Sequence, residues 1–227
     1  LLATLPLLAV AQSEETLQRH VVAVENLRLS VSQLGTDNTA SLDALESAAS
    51  TMRLVSRDTA SSTLVAAMDQ AFDNARTAIA NQSRTDLAVQ TAVLRGGFQR
   101  ALLESSLAAG TVSGAQDGFS QLAAEHGFGL ETLDALAGSG SLEELLGHYR
   151  SSLAADMAER LSTLPDRFSE GRADAYTALA GVYGASLSLQ DAAEAPESLN
   201  SDFGALIDGG LGQRPGGGAG LQTHLLL

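Results

Sequence analysis

The sequence predicts an all-α fold, an antiparallel helical bundle of about eight helices or two stacked sub-bundles of them. Three observations carry this. Apolar residues recur at spacings of three and four over stretches of roughly 15–25 residues, the period of a helix with one buried face. No stretch alternates polar and apolar residues with period two for long enough to make a strand. Residues that start and stop helices fall at the breaks between the periodic stretches. Abundant alanine, leucine and arginine suit the helical state.

In chain order, Leu17, Val21, Val24, Val31 and Leu34 share one face of a first helix that stops at Gly35. Leu42, Leu45, Ala49 and Met52 form a second stripe, and Leu64, Met68, Ala71, Ala75 and Ile79 a third. Ser83 precedes a long helix from about Arg84 to Ala109, striped by Leu87, Thr91, Leu94, Phe98, Ala101 and Ser105. Gly96-Gly97 inside it implies a kink or a close helix contact, the contact being the commoner use. Ser113-x-x-Gln116 and Ser141-x-x-Glu144 read as capping boxes, in which the side chains satisfy free backbone N–H groups. Gly127 and Gly138 sit where helix C-caps belong. Pro165 fits the first turn of a helix running to about Ser188, and Pro196 opens a short one ending near Asp208. Short breaks between so many helices imply mainly antiparallel neighbours, and near-heptad spacing implies shallow crossing angles. Residues 41–46 (SLDALE) resemble residues 141–146 (SLEELL), as an internal repeat would, although the offsets of the following residues differ.

The organisation expected is therefore fourfold. Residues 1–11 (LLATLPLLAVA) are apolar and end in Ala9-Val10-Ala11 just before the polar run Gln12-Ser13-Glu14-Glu15. They read as a signal-peptide remnant, or an anchor, whose initiator methionine and basic segment are missing; eleven residues are too few to span a bilayer, which takes about 20. Residues 12–208 form the helical bundle. Residues 209–220 form a glycine-rich linker, and residues 221–227 (LQTHLLL) read as the start of a further helix, cut short.

Composition removes several function classes. There is no cysteine, so no disulfide, thiolate metal site or thiol nucleophile. There is no lysine, so no Walker-A lysine and no Schiff base. A net charge of −14 without clustered arginines argues against nucleic acid and against anionic membrane surfaces as partners. Tryptophan is absent and aromatics are sparse, which leaves no stacking platform for bases or sugars.

Four histidines remain. His20 lies beside the apolar face of the first helix and reads as a partly buried structural group. His126 precedes Gly127 at a helix end, where a cation suits the helix dipole and can meet free carbonyls. His224 lies in the tail. Glu144 and His148 are one turn apart on one helix face and are the metal-ligand candidates, with Asp156 and Glu159 further along. The plainer reading is a solvent-facing pair with Glu144 acting as a cap. Neither His-Glu-x-x-His nor Glu-x-x-His occurs, and no Gly-x-Ser-x-Gly elbow appears. The acidic stretch between positions 174 and 208 reads as a solvated face.

The sequence thus points to a non-catalytic extracytoplasmic helical scaffold or interaction domain of a cell-envelope assembly. Its partners would be other envelope proteins or its own downstream membrane region. No catalytic residues and no cofactor are expected, a divalent metal at Glu144 and His148 being the one option. The alternative is a ligand- or metal-binding extracytoplasmic domain of a membrane transport or sensing protein. Localisation would be periplasmic or at the cell surface.

Overall fold

A computed structural model describes residues 5–55 and 62–170, with side chains at 14–53, 65–66 and 68–163. By its contacts the chain divides into units Leu1–Ser188 and Leu189–Leu227, and every described residue belongs to the first. Seven α-helices and no strand occur among the described residues: α1 (Leu5–Gln33), α2 (Asn38–Val55), α3 (Ser62–Ala80), α4 (Arg84–Ala108), α5 (Val112–His126), α6 (Leu130–Gly138) and α7 (Leu142–Glu170). The all-α bundle is the fold, with seven helices among the described residues against about eight expected over the whole chain. The helix expected after Pro196, the linker at 209–220 and the tail lie outside the described residues.

Helices α1 to α4 close a ring, each packing on the next and α4 returning to α1. Helices α5 to α7 form a second group that is joined to the ring chiefly through α4 and α1, both of which pack on α5. Polar and small side chains fix the register of each antiparallel pair. Ser41 Oγ donates to the Ser30 carbonyl at 2.7 Å, locking α1 to α2. Arg76 Nε on α3 donates to Glu46 on α2 at 2.6 Å. Gln116 on α5 donates to the Ala137 carbonyl at the end of α6 at 3.1 Å, and Thr132 on α6 meets Ser152 on α7, also at 3.1 Å.

The core runs along the stripes read from the sequence, with one rotation. On α1 the buried line is His20, Ala23, Leu27, Ser30 and Leu34, while Val21 is 42% exposed. Val24 and Val31 are partly buried against the core, while the small residues Ala23 and Ala48 are fully buried within it. The second half of α4 is buried all round, from Gly96 through Leu103. It has neighbours on every side: α3, α1 and α5. That is why one helix in the middle of the chain lacks a polar face there.

Gly96-Gly97 makes a contact, not a kink. Helix α4 is unbroken, and a Cβ on Gly97 would lie 2.5 Å from Met68 Sδ on α3. Gly118 on α5 is tighter still: a Cβ there would come within 2.0 Å of Ser106 Oγ on α4.

The breaks follow the sequence with small corrections. Ser83 caps α4 by accepting from the Asp86 amide. At α5 the cap is Thr111, which accepts from Gly114, and not Ser113. The expected box at Ser113 fails because the helix starts two residues earlier, which puts Ser113 inside its first turn. Gly127 closes α5 in the left-handed conformation with φ +72°, a conformation glycine adopts freely. Gly138 is instead the last residue of α6, with Ser139 as its cap. Pro165 lies inside α7, which continues to Glu170. The proline removes one amide donor, that toward the Leu161 carbonyl, and the backbone remains helical on both sides. The likeness of 41–46 to 141–146 marks no shared unit. Ser41 is a buried interhelical donor inside α2, whereas Ser141 is an exposed cap before α7. Helix α1 runs without interruption through the composition break at Ala11-Gln12.

Gly118→Ala should destabilise the protein by about 1–3 kcal/mol, despite the better helix propensity of alanine, because Ser106 must leave its bond to the Leu102 carbonyl and its own Cβ must also shift. Thermal melts should show part of the loss recovered in the double variant with Ser106→Ala. An unchanged melting temperature for G118A would mean that α4 and α5 are further apart than described here.

Candidate functional site

The most elaborate polar arrangement lies where α1, α4 and α5 meet. His20, 1% exposed, projects from the middle of the apolar stripe of α1. Its Nδ1 lies 3.1 Å from the Phe98 carbonyl on α4, and its Nε2 lies 2.6 Å from Glu125 Oε1 on α5. Glu125 also accepts from Gln121 Nε2 at 2.9 Å and, through Oε2, from Gln99 Nε2 at 3.0 Å. Gln99 is itself buried on α4. Three helices are thereby tied through one carboxylate and one imidazole, with both carboxylate oxygens and both ring nitrogens engaged.

The electrostatics favour the ionised carboxylate. Burial alone would raise the Glu125 pKa. Hydrogen bonding and charge interaction with His20, with the amides of Gln121 and Gln99, outweigh burial and bring it down to about 2. The ring donates from Nε2 to the ionised Glu125, and Nδ1 faces the Phe98 carbonyl at 3.1 Å. The arrangement is a closed, hydrogen-bonded clasp with no valence directed at open space.

The adjacent residue faces the other way. His126 packs against an aromatic group on the α7 side of α5. Its ring stacks on Phe128 at 5.4 Å and lies 6.1 Å from Tyr149, whose hydroxyl is 3.3 Å from Nε2. Tyr149 is fully buried and meets Phe119 edge-on at 5.5 Å. Burial lowers the His126 pKa to about 4, against the pull of the Asp156 carboxylate. The cationic cap expected for His126 at the end of α5 is therefore replaced by a neutral ring. Desolvation is the largest effect on the ring, because the side chain packs into the aromatic group.

The candidate metal ligands sit elsewhere. Glu144 and His148 are both exposed on the first turns of α7. The Glu144 amide donates to Ser141 Oγ at 3.1 Å, and Glu144 Oε2 accepts from the Gly140 amide at 2.7 Å. This is the reciprocal geometry of a capping box, displaced by one residue. Among the described residues no group of three or more His, Cys, Asp or Glu side chains could hold a metal ion. Asp156, also on α7, is paired with Arg160 at 2.8 Å. His224 and the acidic stretch from 174 lie outside the described residues.

Sequence reasoning placed His20 on α1 but missed Glu125, Gln99 and Gln121. The available signal was period: Glu125 follows Ala115, Gly118 and Leu122 at helical spacing, so an acid falls on an apolar stripe. Such a residue needs a partner, and only the tertiary fold names one 105 positions away.

Among the described residues no helix is long and apolar enough to cross a membrane. Comparison with known proteins returns no match: no family model, no curated protein and no solved structure resembles this chain.

His20→Ala should cost on the order of 3 kcal/mol, because it leaves a buried carboxylate without its counter-charge. The pH limb has a definite sign. Folded Glu125 titrates at about 2 against 4.5 for the ordinary group. Its contribution is complete above pH 4.5 and is lost as pH falls toward 2. Denaturant unfolding across that range should show a steep acid limb in the native protein and a flatter one in Glu125→Gln. An acid limb of equal slope in the two would remove Glu125 from this role.

Proposed function

We infer that this chain is a non-catalytic extracytoplasmic helical scaffold, an interaction domain of a cell-envelope assembly. The observation that carries the reading is how its side chains are used. His20, Glu125, Gln99 and Gln121 spend their polar groups on joining helices. Glu144 spends its carboxylate on a cap. What the bundle offers outward is surface. Val21, Val22 and Leu29 on α1 and Leu42 on α2 are the exposed aliphatic residues of one helical hairpin. The Ser30–Ser41 contact puts Leu29 and Leu42 at the same level of that hairpin. The apolar run at residues 1–11 with its Ala9-Val10-Ala11 ending supports export, and the excess of acidic over basic residues suits a soluble surface that avoids anionic lipid.

The test has two parts. A reporter enzyme that is active only outside the cytoplasm, fused to the native gene product, should be active. A photo-crosslinking residue at Val22 should then give a discrete adduct in intact cells, while one at exposed Glu131 should not. An inactive reporter would overturn the export half of the reading. Stoichiometric metal retained by purified protein and lost in Glu144→Ala/His148→Ala would overturn the scaffold half in favour of a metal-binding domain.

A further inference from the structure

Helices α6 and α7 are held to the rest of the described structure chiefly by α5. Besides the Gln116 bond to the Ala137 carbonyl, which must break for α6 to move, two connections make that attachment. One is the short segment Gly127-Phe128-Gly129 between α5 and α6, in which Gly127 is left-handed and Gly129 extended. The other is the aromatic contact in which His126 and Phe119 of α5 and Phe128 of the segment surround Tyr149 of α7. A titratable ring therefore sits within the contact, next to the residues able to act as its hinge.

We propose that this contact is an acid-released latch: protonation of His126 separates α7 from α5, with α6 swinging about Gly127-Phe128-Gly129, while the α1–α4 ring keeps its fold. Between the Phe128 and Tyr149 rings an imidazolium loses its hydration, and the Tyr149 hydroxyl, 3.3 Å from Nε2, can no longer donate to that nitrogen and must turn to accept from it. The charged groups acting on the ring come from every side. Asp156 on α7 and Glu125 on α5 favour the cation; Arg95 on α4 and Arg160 on α7 oppose it; α6 contributes none. Asp156 is already engaged by Arg160 and Glu125 by His20, so neither carboxylate is at liberty to receive the new charge.

Linkage fixes the direction. The closed ring titrates at about 4 and a released one near the ordinary 6.5, so the released state takes up the proton first. The closed-to-open ratio should fall by on the order of 100-fold between pH 7 and pH 4. The clasp at Glu125 stays ionised throughout that interval and holds α5 on α1 and α4.

The chain has no cysteine, so spin labels can be placed cleanly. In the full chain, one label pair at S120C and S151C spans α5 and α7, and a second at S47C and D69C spans α2 and α3; all four positions are exposed. Distances measured by pulsed electron resonance should lengthen and broaden reversibly for the first pair as pH falls from 6.5 to 4, with the second pair unchanged. His126→Phe, which keeps an aromatic ring but cannot be protonated, should hold the first pair closed over the same range. Three results would each overturn the latch: a first pair that stays closed at pH 4 while the imidazole NMR signals show His126 protonated; an H126F variant that opens like the native chain; or both pairs changing together, which is general unfolding.

Discussion

A buried carboxylate has to be answered, and in this protein the answer organises the fold. Removing Glu125 from water costs several kcal/mol unless its oxygens are saturated and its charge is matched. The match is His20 from the far end of the sequence, and the remaining valences go to Gln121 and Gln99. These bonds can form only if α1, α4 and α5 take one mutual arrangement. An apolar substitute could supply equal stability, since buried ion pairs rarely gain over well-packed hydrocarbon. It could not supply the same selectivity. Alanine- and leucine-lined helices slide over one another at small cost, and a one-turn slip would leave His20 and Glu125 each buried without a partner. The clasp thus penalises wrong registers more than it rewards the right one.

The glycines do complementary work. Next to the clasp, α4 presents Gly97 toward α3, and α5 presents Gly118 toward α4. The residues that follow Gly97 on α4, Phe98 and Gln99, offer a carbonyl to α1 and an amide to α5. The small contacts and the polar contacts are therefore one device. Shape complementarity sets the interhelical distance, and the charge pair sets the position along the axes. This also accounts for the buried run from Gly96 to Leu103, since a helix gripped on three sides has no face left for water.

Much of the fold was legible in the sequence, and the parts that were not have a common cause. Helical periodicity gave the stripes on α2, α3 and α4. Local chemistry gave Ser83, Gly35 and Gly127 as stops and starts, because a cap depends on residues a few positions away. The errors arose where the outcome depended on distant neighbours. Val21 was assigned inward because hydrophobicity alone favours it, yet the close α1–α2 contact selected Ala23 and left Val21 at the edge. His126 was read from its helix end, whereas Tyr149, 23 positions later, decides its environment. His20 was recognised as structural, but its partner could not be named from α1. A polar residue on an apolar stripe signals that a partner exists without saying which; Glu125 and Gln99 carried the same signal and matched His20 only in three dimensions.

Glu125 and His126 show why adjacency in sequence says little about proton affinity. Glu125 and His126 are neighbours on α5, about 100° apart around the helix axis, so they face different contacts. On one face a carboxylate meets an imidazole, amides and a carbonyl, and every donor finds an acceptor. On the other an imidazole meets aromatic rings and a hydroxyl, and only its uncharged form is accommodated. Burial is common to both; the difference lies in whether the buried group finds a counter-charge. A paired charge makes the α5 attachment to the ring insensitive to mild acid, and an unpaired ring makes the α7 attachment sensitive to it. A single step along α5 therefore separates a permanent joint from a conditional one, and the order in which acid undoes them follows from which side of the helix each side chain leaves.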